Sequence, residues 1–158
     1  MRELILLRHA HAEPAADGQP DLDRPLTVQG LAEAQAAGRW LAEQGLVPDR
    51  VLCSPARRAR ETLEAVLEGT GYVEQRLEER IYEATAGTLA ELADAHRETE
   101  RLLLVGHNPG LERLAALMHS GQSGDYRGMP TSSVVVLKLP LDATIEPGVA
   151  TLSAFWWP

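Results

Sequence analysis

Three short polar clusters along the chain hold the residues that could perform chemistry. They are Arg8-His9-Ala10-His11, Ser54 to Arg60, and Gly106-His107-Asn108-Pro109. Arginine guanidinium groups bind phosphoryl oxygens in bidentate fashion, and a neutral imidazole can attack phosphorus as a nucleophile. Two histidines with arginines between them therefore suit phosphoryl transfer, in which one accepts the phosphoryl group and the other stabilises charge on its oxygens.

Each cluster follows a short apolar segment that predicts a buried strand. These segments are Glu3–Leu7, Arg50–Cys53 and Arg101–Gly106, and helical patterns separate them. Strands that alternate with helices indicate an α/β fold, here a three-layer α/β/α sandwich with a mostly parallel central sheet. Ligands of such sheets bind beyond the carboxyl ends of the strands, where all three clusters fall.

Capping residues predict where the helices begin. Thr27 is placed as the N-cap of a helix that ends near Gly45, Ser54 as the N-cap of a helix to about Glu68, and Pro109 at the start of another. Composition alone predicts five further segments: a strand over Tyr72–Leu77, a helix over Leu89–His96, a loop over Gly121–Pro130, and strands over Ser133–Leu139 and Val149–Trp157.

The composition limits the domain organisation, the partners and the location. A length of 158 residues suits one domain over residues 1–158, and a net charge of −8 argues against a nucleic-acid partner. The apolar runs are too short for a membrane span or a secretory signal. Because Cys53 is the only cysteine, no internal disulfide can form, and a cytoplasmic location is expected.

Several other nucleophile and phosphate-binding classes do not fit the sequence. The only lysine, Lys138, lies between two leucines, which excludes the P-loop. No G-x-S-x-G surrounds Ser54, so an α/β-hydrolase elbow is not predicted. A cysteine phosphatase needs an arginine six positions after its thiolate, but that position after Cys53 is Ala59, and Cys53 is expected in the core.

A metal site is the alternative interpretation of the first cluster. His9 and His11 form an H-x-H pair that Asp21, Asp23 or His107 could complete. The barrel hydrolases that open their metal sites in this way need roughly 250 residues, and nearby arginines would repel a divalent cation. We therefore predict no metal and no cofactor.

Four ordered motifs resemble the histidine phosphatase superfamily, also called the phosphoglycerate mutase-like family. They are Leu7-Arg8-His9-Ala10, similar to its R-H-G signature; Arg24-Pro25-Leu26-Thr27 with Gly30, similar to R-P-L-T-x-x-G; Ser54 to Thr62, similar to S-P-x-x-R-A-x-x-T; and Val105 to Pro109, similar to the segment of the second histidine. Met129-Pro130-Thr131 before an apolar strand resembles the short SixA-like branch of phosphohistidine phosphatases.

The resemblance implies a role for each matching residue. His9 would be the nucleophile that forms a phosphohistidine, and Arg8, Arg58 and His107 would surround the phosphoryl group. Arg58, and not Arg57, matches the arginine of the motif. Arg57 and Arg60 are then candidates for the rim of the site. Most acidic residues are expected elsewhere, on the helices.

Three further residues are candidates with less support. Larger members of the family carry an acidic proton donor, and Glu83 is the only placed candidate, in surroundings that match poorly. Asn108 and His11 are candidates for substrate or phosphate contact. Ala10 stands where most of the family has glycine, a change common in the SixA-like branch.

The resemblance implies a metal-independent phosphatase with a phosphorylated substrate. A weak or missing acid favours a protein phosphohistidine, because a protonated phosphoramidate nitrogen leaves readily. The alternatives are a small-molecule phosphomonoesterase of the same superfamily and a non-catalytic module that binds a phosphorylated ligand. The presence of His9 and His107 argues against the module. Whether Trp156 and Trp157 close the core or form a contact surface stays open.

Overall fold

The computed structural model describes residues 1–121 and 128–158, in which six strands form one sheet in the order β3-β2-β4-β1-β5-β6. The strands are β1 Arg2–Arg8, β2 Arg50–Cys53, β3 Glu74–Leu77, β4 Arg101–Gly106, β5 Val134–Leu139 and β6 Thr151–Trp156. The helices are α1 Val28–Glu43, α2 Arg57–Thr70, α3 Ala86–Ala95 and α4 Gly110–Ser120. Two 3-10 turns cover Asp21–Asp23 and Glu79–Ile81.

The sheet is mostly parallel, as predicted. β3, β2, β4 and β1 run parallel, and β5 and β6 continue the sheet in antiparallel pairing. In the register of the parallel strands, Arg8 lies beside Gly106 and Cys53 beside Val105. The carboxyl ends of β1, β2 and β4 therefore meet at one edge of the sheet. The three polar clusters come directly after these strand ends, so they lie at this edge.

Two helices cover each face of the sheet, which confirms the three-layer α/β/α architecture. Side chains of a strand alternate between its faces. Ile5 and Leu7 of β1 pack in the core with α1 and α2, whereas Leu4 and Leu6 pack with α3 and α4. Cys53 lies in the first of these cores, where burial raises the pKa of its thiol to about 12. It is therefore a core residue with no thiolate at neutral pH.

The predicted start of α2 is wrong by two residues. The helix begins at Arg57 with Ala56, not Ser54, as its N-cap. The Ser54 hydroxyl accepts a hydrogen bond from the Ala56 N–H at 3.2 Å, but it also contacts His107, so it belongs to a turn before the helix.

Other predicted elements differ only at their ends. β3 and β6 are shorter than predicted, and α3 begins three residues before the predicted start at Leu89, because the Thr85 side chain caps it by accepting from the Thr88 N–H at 3.1 Å. Thr27 caps α1 as expected, accepting from the Gly30 N–H at 2.9 Å. Of the predicted Gly121–Pro130 loop, residues 122–127 lie outside the described residues.

The two C-terminal tryptophans have different environments. Trp156 stacks on Trp40 of α1 with ring centroids 5.5 Å apart, which joins the edge strand to the helix layer. Trp157 is 56% exposed. Within residues 1–121 and 128–158, no helix combines the length and the apolar character that a bilayer span requires.

Candidate active site

The three polar clusters meet at the carboxyl edge of the sheet. His9 follows β1, His107 follows β4, and their ring centroids are 5.1 Å apart. Arg58, in the first turn of α2, places Nη2 3.5 Å from Nδ1 of His107. The strand order thus brings together side chains that are far apart in sequence.

The protonation state of His9 follows from one hydrogen bond. Nδ1 lies 2.8 Å from the Ala10 carbonyl oxygen, and because a carbonyl can only accept, Nδ1 carries the proton and Nε2 keeps its lone pair. Burial, assisted by the charges of Arg58 and Arg8, lowers the pKa of His9 to about 4, although the bond to Ala10 opposes this shift. The imidazole is therefore neutral at pH 7, the form that acts as a nucleophile.

His107 is held by Ser54, a residue that the sequence predicts first as a helix cap. Its Nε2 lies 2.7 Å from the Ser54 hydroxyl. Burial and the neighbouring His9 lower the pKa of His107 to about 3. Arg58 can only donate, so its contact with Nδ1 places the His107 proton on Nε2, which donates to the Ser54 hydroxyl. The hydroxyl can also donate, so Ser54 supports the other tautomer as well, in which Nδ1–H is available to a phosphoryl oxygen that takes the place of the arginine contact. The S-P-x-x-R motif was the signal that could have identified Ser54.

Two arginines leave buried donor groups unused at this edge. Arg8 donates from Nη1 to the Met129 carbonyl at 2.8 Å, and Arg58 is only 6% exposed. The Nε–H groups of both are buried with no hydrogen-bond partner among the described residues. Buried donors are nearly always satisfied in folded proteins, so two unsatisfied ones beside two histidines indicate a place for an anion.

An acidic residue, Asp21, also lies in the site, as an exception to the expectation that most acids lie elsewhere on the helices. Arg58 donates to the backbone oxygen of Asp21 at 2.9 Å and to its carboxylate at 3.1 Å. The loop after β1 folds back over the sheet edge, and Arg24 and the Tyr82 hydroxyl also bond the Asp21 carboxylate. These bonds, that of Tyr82 foremost, hold the pKa of Asp21 far below its usual value, so it stays ionised.

Asn108 holds the chain segment before β5 in place. Its Nδ2 donates to Glu112 at 3.0 Å and to the Met129 carbonyl at 2.9 Å, so both amide hydrogens are used. The same carbonyl accepts from Arg8, so Asn108 and Arg8 share one hydrogen-bond acceptor. The Asn108 Oδ1 is buried with no partner among the described residues, and as an acceptor it can bond a donor group of a ligand but not a phosphoryl oxygen.

The structure separates the remaining candidates. Glu83 lines a cleft of about 360 Å³ together with Arg58 and His107, and its φ of 59° is unusual for a residue other than glycine. His11 differs from His9 and His107 in being exposed, and it bonds Thr27 Oγ1 at 2.8 Å. Like His9 and Arg8, it is not among the residues that line this cleft.

The two other arginines of the second cluster, Arg57 and Arg60, bond to groups of α2 and of the turn before it. Arg57 pairs with Glu61 at 3.2 Å, and Arg60 donates to the Pro55 carbonyl at 3.0 Å. Neither lines the cleft that holds Arg58. Arg58 is thus the member of this cluster that the fold brings to the histidines.

The alternative of an H-x-H metal site finds no support in the side-chain positions. His9 and His11 bond different partners, the Ala10 carbonyl and the Thr27 hydroxyl. Over the described ranges, no three or more histidine, cysteine or carboxylate side chains gather closely enough to hold a metal ion.

Comparisons with known proteins agree with this geometry. An uncharacterised protein of Mycobacterium tuberculosis (strain H37Rv) is 38% identical over 159 residues, covering 94% of this chain and 98% of that protein. Phosphohistidine phosphatase SixA of Escherichia coli K12 is 41% identical over 64 residues, 40% of this chain and 38% of that protein.

A solved structure has the same fold over nearly its whole length. The protein, from Agrobacterium tumefaciens and assigned as phosphohistidine phosphatase SixA, superposes with a TM-score of 0.86 at 32% identity, covering 99% of this chain and 98% of that one. The profile of the histidine phosphatase superfamily (branch 1) matches residues 4–123, which include His9, Arg58 and His107. The chain therefore belongs to the histidine phosphatase superfamily.

Proposed function

We propose that the chain is a protein phosphohistidine phosphatase that acts through a phosphohistidine formed on His9. As a member of its superfamily it is a hydrolase that removes phosphoryl groups. The observation that carries the proposal is the bond from His9 Nδ1–H to the Ala10 carbonyl. This bond fixes the proton on one nitrogen and leaves the Nε2 lone pair for attack on phosphorus.

The proposed reaction has two steps and needs no metal ion or cofactor. Nε2 of His9 forms a bond to phosphorus while the bond to the leaving nitrogen of the substrate breaks, and that nitrogen keeps the electron pair. The other ring nitrogen of the substrate already carries a proton from solvent, so the imidazole leaves neutral. Arg8, Arg58 and His107 donate hydrogen bonds to the phosphoryl oxygens as charge develops. Water then attacks phosphorus, which releases phosphate and restores the neutral His9.

The ionised state of Asp21 supports phosphohistidine as the substrate. Asp21 is ionised and bound to Arg58, so it is a poor proton donor. A phosphoramidate needs little acid catalysis once its nitrogen is protonated, whereas an alkyl ester needs a donor. The assignment of the similar A. tumefaciens structure as a phosphohistidine phosphatase also supports this substrate.

Glu83 favours a second candidate function, a small-molecule phosphomonoesterase. Its carboxyl group lines the same cleft as His107, and its backbone has a φ of 59°. Sparsely populated backbone conformations of this kind cluster at functional sites. If Glu83 protonates the leaving oxygen, ordinary esters become good substrates.

Turnover of three substrates tests the two candidates. A phosphohistidine peptide, an aryl phosphate and an alkyl phosphate are compared with the wild type, Glu83→Gln, and the exposed control Glu64→Gln on α2. We expect the peptide to be the best substrate and Glu83→Gln to leave its kcat unchanged. General acid catalysis contributes about 10²- to 10⁴-fold, so a loss of that size in alkyl phosphate turnover would favour the second candidate.

The substrate partner and the location are proposed on charge and cysteine content. A net charge of −8 supports a phosphorylated protein rather than a nucleic acid as the partner. The single thiol of Cys53, buried and free, supports a reducing, cytoplasmic compartment.

A further inference from the structure

The cleft that Arg58 and His107 line, next to His9, also contains a second cation. It runs from Arg58 and His107 past Asn108 to Arg113, on the first turns of α4. Of the described residues that line it, two are acids, Asp21 and Glu83. The cleft therefore has space, and in Arg113 a positive charge, for a second group of a substrate besides its phosphoryl group.

Among the residues that the structure describes, Arg113 differs from Arg57 and Arg58 in having no ion-pair partner. Arg58 pairs with Asp21 at 3.1 Å, and Arg57 pairs with Glu61 at 3.2 Å. The side chain of Arg113 is exposed, and over residues 1–121 and 128–158 it makes neither a hydrogen bond nor an ion pair. Its guanidinium is thus a donor group with all its hydrogens available in the cleft.

A guanidinium without an ion-pair partner raises the local electrostatic potential of the cleft, although the net charge of the molecule is −8. Asp21 already offsets part of the charge of Arg58, so Arg113 supplies positive potential that an anion in the cleft can use. The planar fork of arginine binds a carboxylate or a phosphate through two parallel hydrogen bonds. Its ligand in this position is therefore a second anionic group.

We propose that Arg113 binds a second anionic group of the substrate, a carboxylate or a phosphate close to the phosphoryl group that is transferred. This rests on the proposed function, because it requires the phosphoryl group to lie between His9 and His107. A contact that does not involve the reacting phosphoryl group is made equally in the ground state and in the transition state, so it lowers KM and leaves kcat unchanged.

Two matched substrate pairs test the proposal. One pair is a phosphohistidine peptide with Asp or Asn beside the phosphohistidine, and the other is phenyl phosphate with or without a 3-carboxylate. We expect the wild type to prefer the acidic member of a pair. Arg113→Gln should raise KM for that member about fivefold, the size of an exposed ion pair, with kcat unchanged and the neutral member unaffected.

A control variant separates the site from the net charge. Arg39 is an exposed arginine of α1 that lines a different groove, beside Gln35 and Glu68. Arg39→Gln removes the same charge, and we expect it to preserve the preference for the acidic substrate. If Arg39→Gln and Arg113→Gln act alike, the effect belongs to the whole surface and the proposal is overturned.

Equilibrium binding keeps the test independent of turnover. Calorimetry measures the affinity of the same variants for phenylphosphonate and 3-carboxyphenylphosphonate, which are not hydrolysed. A loss of affinity in Arg113→Gln for the carboxylated compound alone supports the proposal. Equal affinities for it in wild type and variant overturn the proposal. A wild type that discriminates in binding but hydrolyses no substrate supports the second anion site and contradicts the proposed function.

The two substrate pairs also identify the source of the anion. A preference confined to the peptides supports an acidic residue beside a phosphohistidine, and one confined to the aryl phosphates supports an anionic small molecule. A preference in neither pair overturns the proposal.

Discussion

His9 and His107 illustrate how burial sets the chemistry of a residue. Both lie at strand ends among arginines, and removal from water favours the neutral imidazole. The pKa of His9 falls to about 4 and that of His107 to about 3. A neutral His9 is ready for attack, whereas His107 can bind a phosphoryl oxygen only with a proton on the nitrogen that faces it. The Ser54 hydroxyl is the group that makes this possible.

The pH dependence of these imidazoles is a direct prediction. Both folded-state pKa values lie below the ordinary 6.5, so His9 and His107 should stay neutral down to about pH 5 in the ligand-free protein. NMR of ¹⁵N-labelled histidine side chains measures this, with His9→Gln and His107→Gln assigning the signals. A protonation midpoint between pH 6 and 7 for either ring would contradict the burial argument.

The same shifts predict the sign of the effect on stability. Between pH 6.5 and about 4 the unfolded chain binds more protons at position 9 than the folded chain does. The free energy of unfolding should therefore fall as the pH is lowered through this window. The fall should be smaller in His9→Gln, which has no imidazole to protonate at that position.

The sequence could identify the candidate catalytic residues but not all of their hydrogen-bond and ion-pair partners. His9, Arg58 and His107 are readable because each stands in a motif after an apolar strand. The ion pair of Asp21 with Arg58 joins residues 37 positions apart through an irregular loop. Local periodicity carries no information about such a contact, so only the folded chain reveals it.

At the scale of elements, the tight packing of α1 explains the glycine of the second motif. An added Cβ at Gly30 would lie 2.0 Å from the His11 carbonyl oxygen, so a side chain would push the helix away from the segment that carries His9. Thr27 caps the same turn by accepting from the Gly30 N–H. Cap and glycine together fix the helix against the end of β1.

Gly30→Ala and Gly87→Ala should therefore change stability in opposite directions. Gly30→Ala should lower the free energy of unfolding by about 1–3 kcal/mol, the usual cost of overpacking. Gly87, near the start of α3, has only Thr85 Oγ1 within 4 Å of an added Cβ, at 3.8 Å. Alanine there should stabilise by up to about 1 kcal/mol through helix propensity. Urea denaturation measures both, and a neutral Gly30→Ala would contradict the close approach.

The elements themselves were predictable to differing degrees. The apolar runs of β2 and β4 have the same bounds in the sequence prediction and in the structure, since burial on both faces leaves a continuous apolar signal. β3 is exposed throughout, and its predicted start was two residues early because no apolar boundary marks it. The start of α2 was wrong because Ser54 serves His107 as well as the turn.

At the scale of the whole molecule, an acidic surface and an anion site coexist. The net charge of −8 describes the average surface, while the fold gathers Arg8 and Arg58 at one edge of the sheet. Their unsatisfied Nε–H groups are buried there and can act on an anion with little screening by solvent. The strand order, which places β4 between β1 and β2, is what creates this local concentration of positive charge.

The central claim is that His9 carries the phosphoryl group during turnover. The most direct measurement is a rapid-quench experiment with radiolabelled phosphoramidate, which looks for an acid-labile, base-stable phosphoenzyme in the wild type and in His9→Ala. The geometry of Nδ1 and the Ala10 carbonyl predicts label on the wild type and none on His9→Ala. An unlabelled wild type, or a label that persists in His9→Ala, would contradict the covalent mechanism.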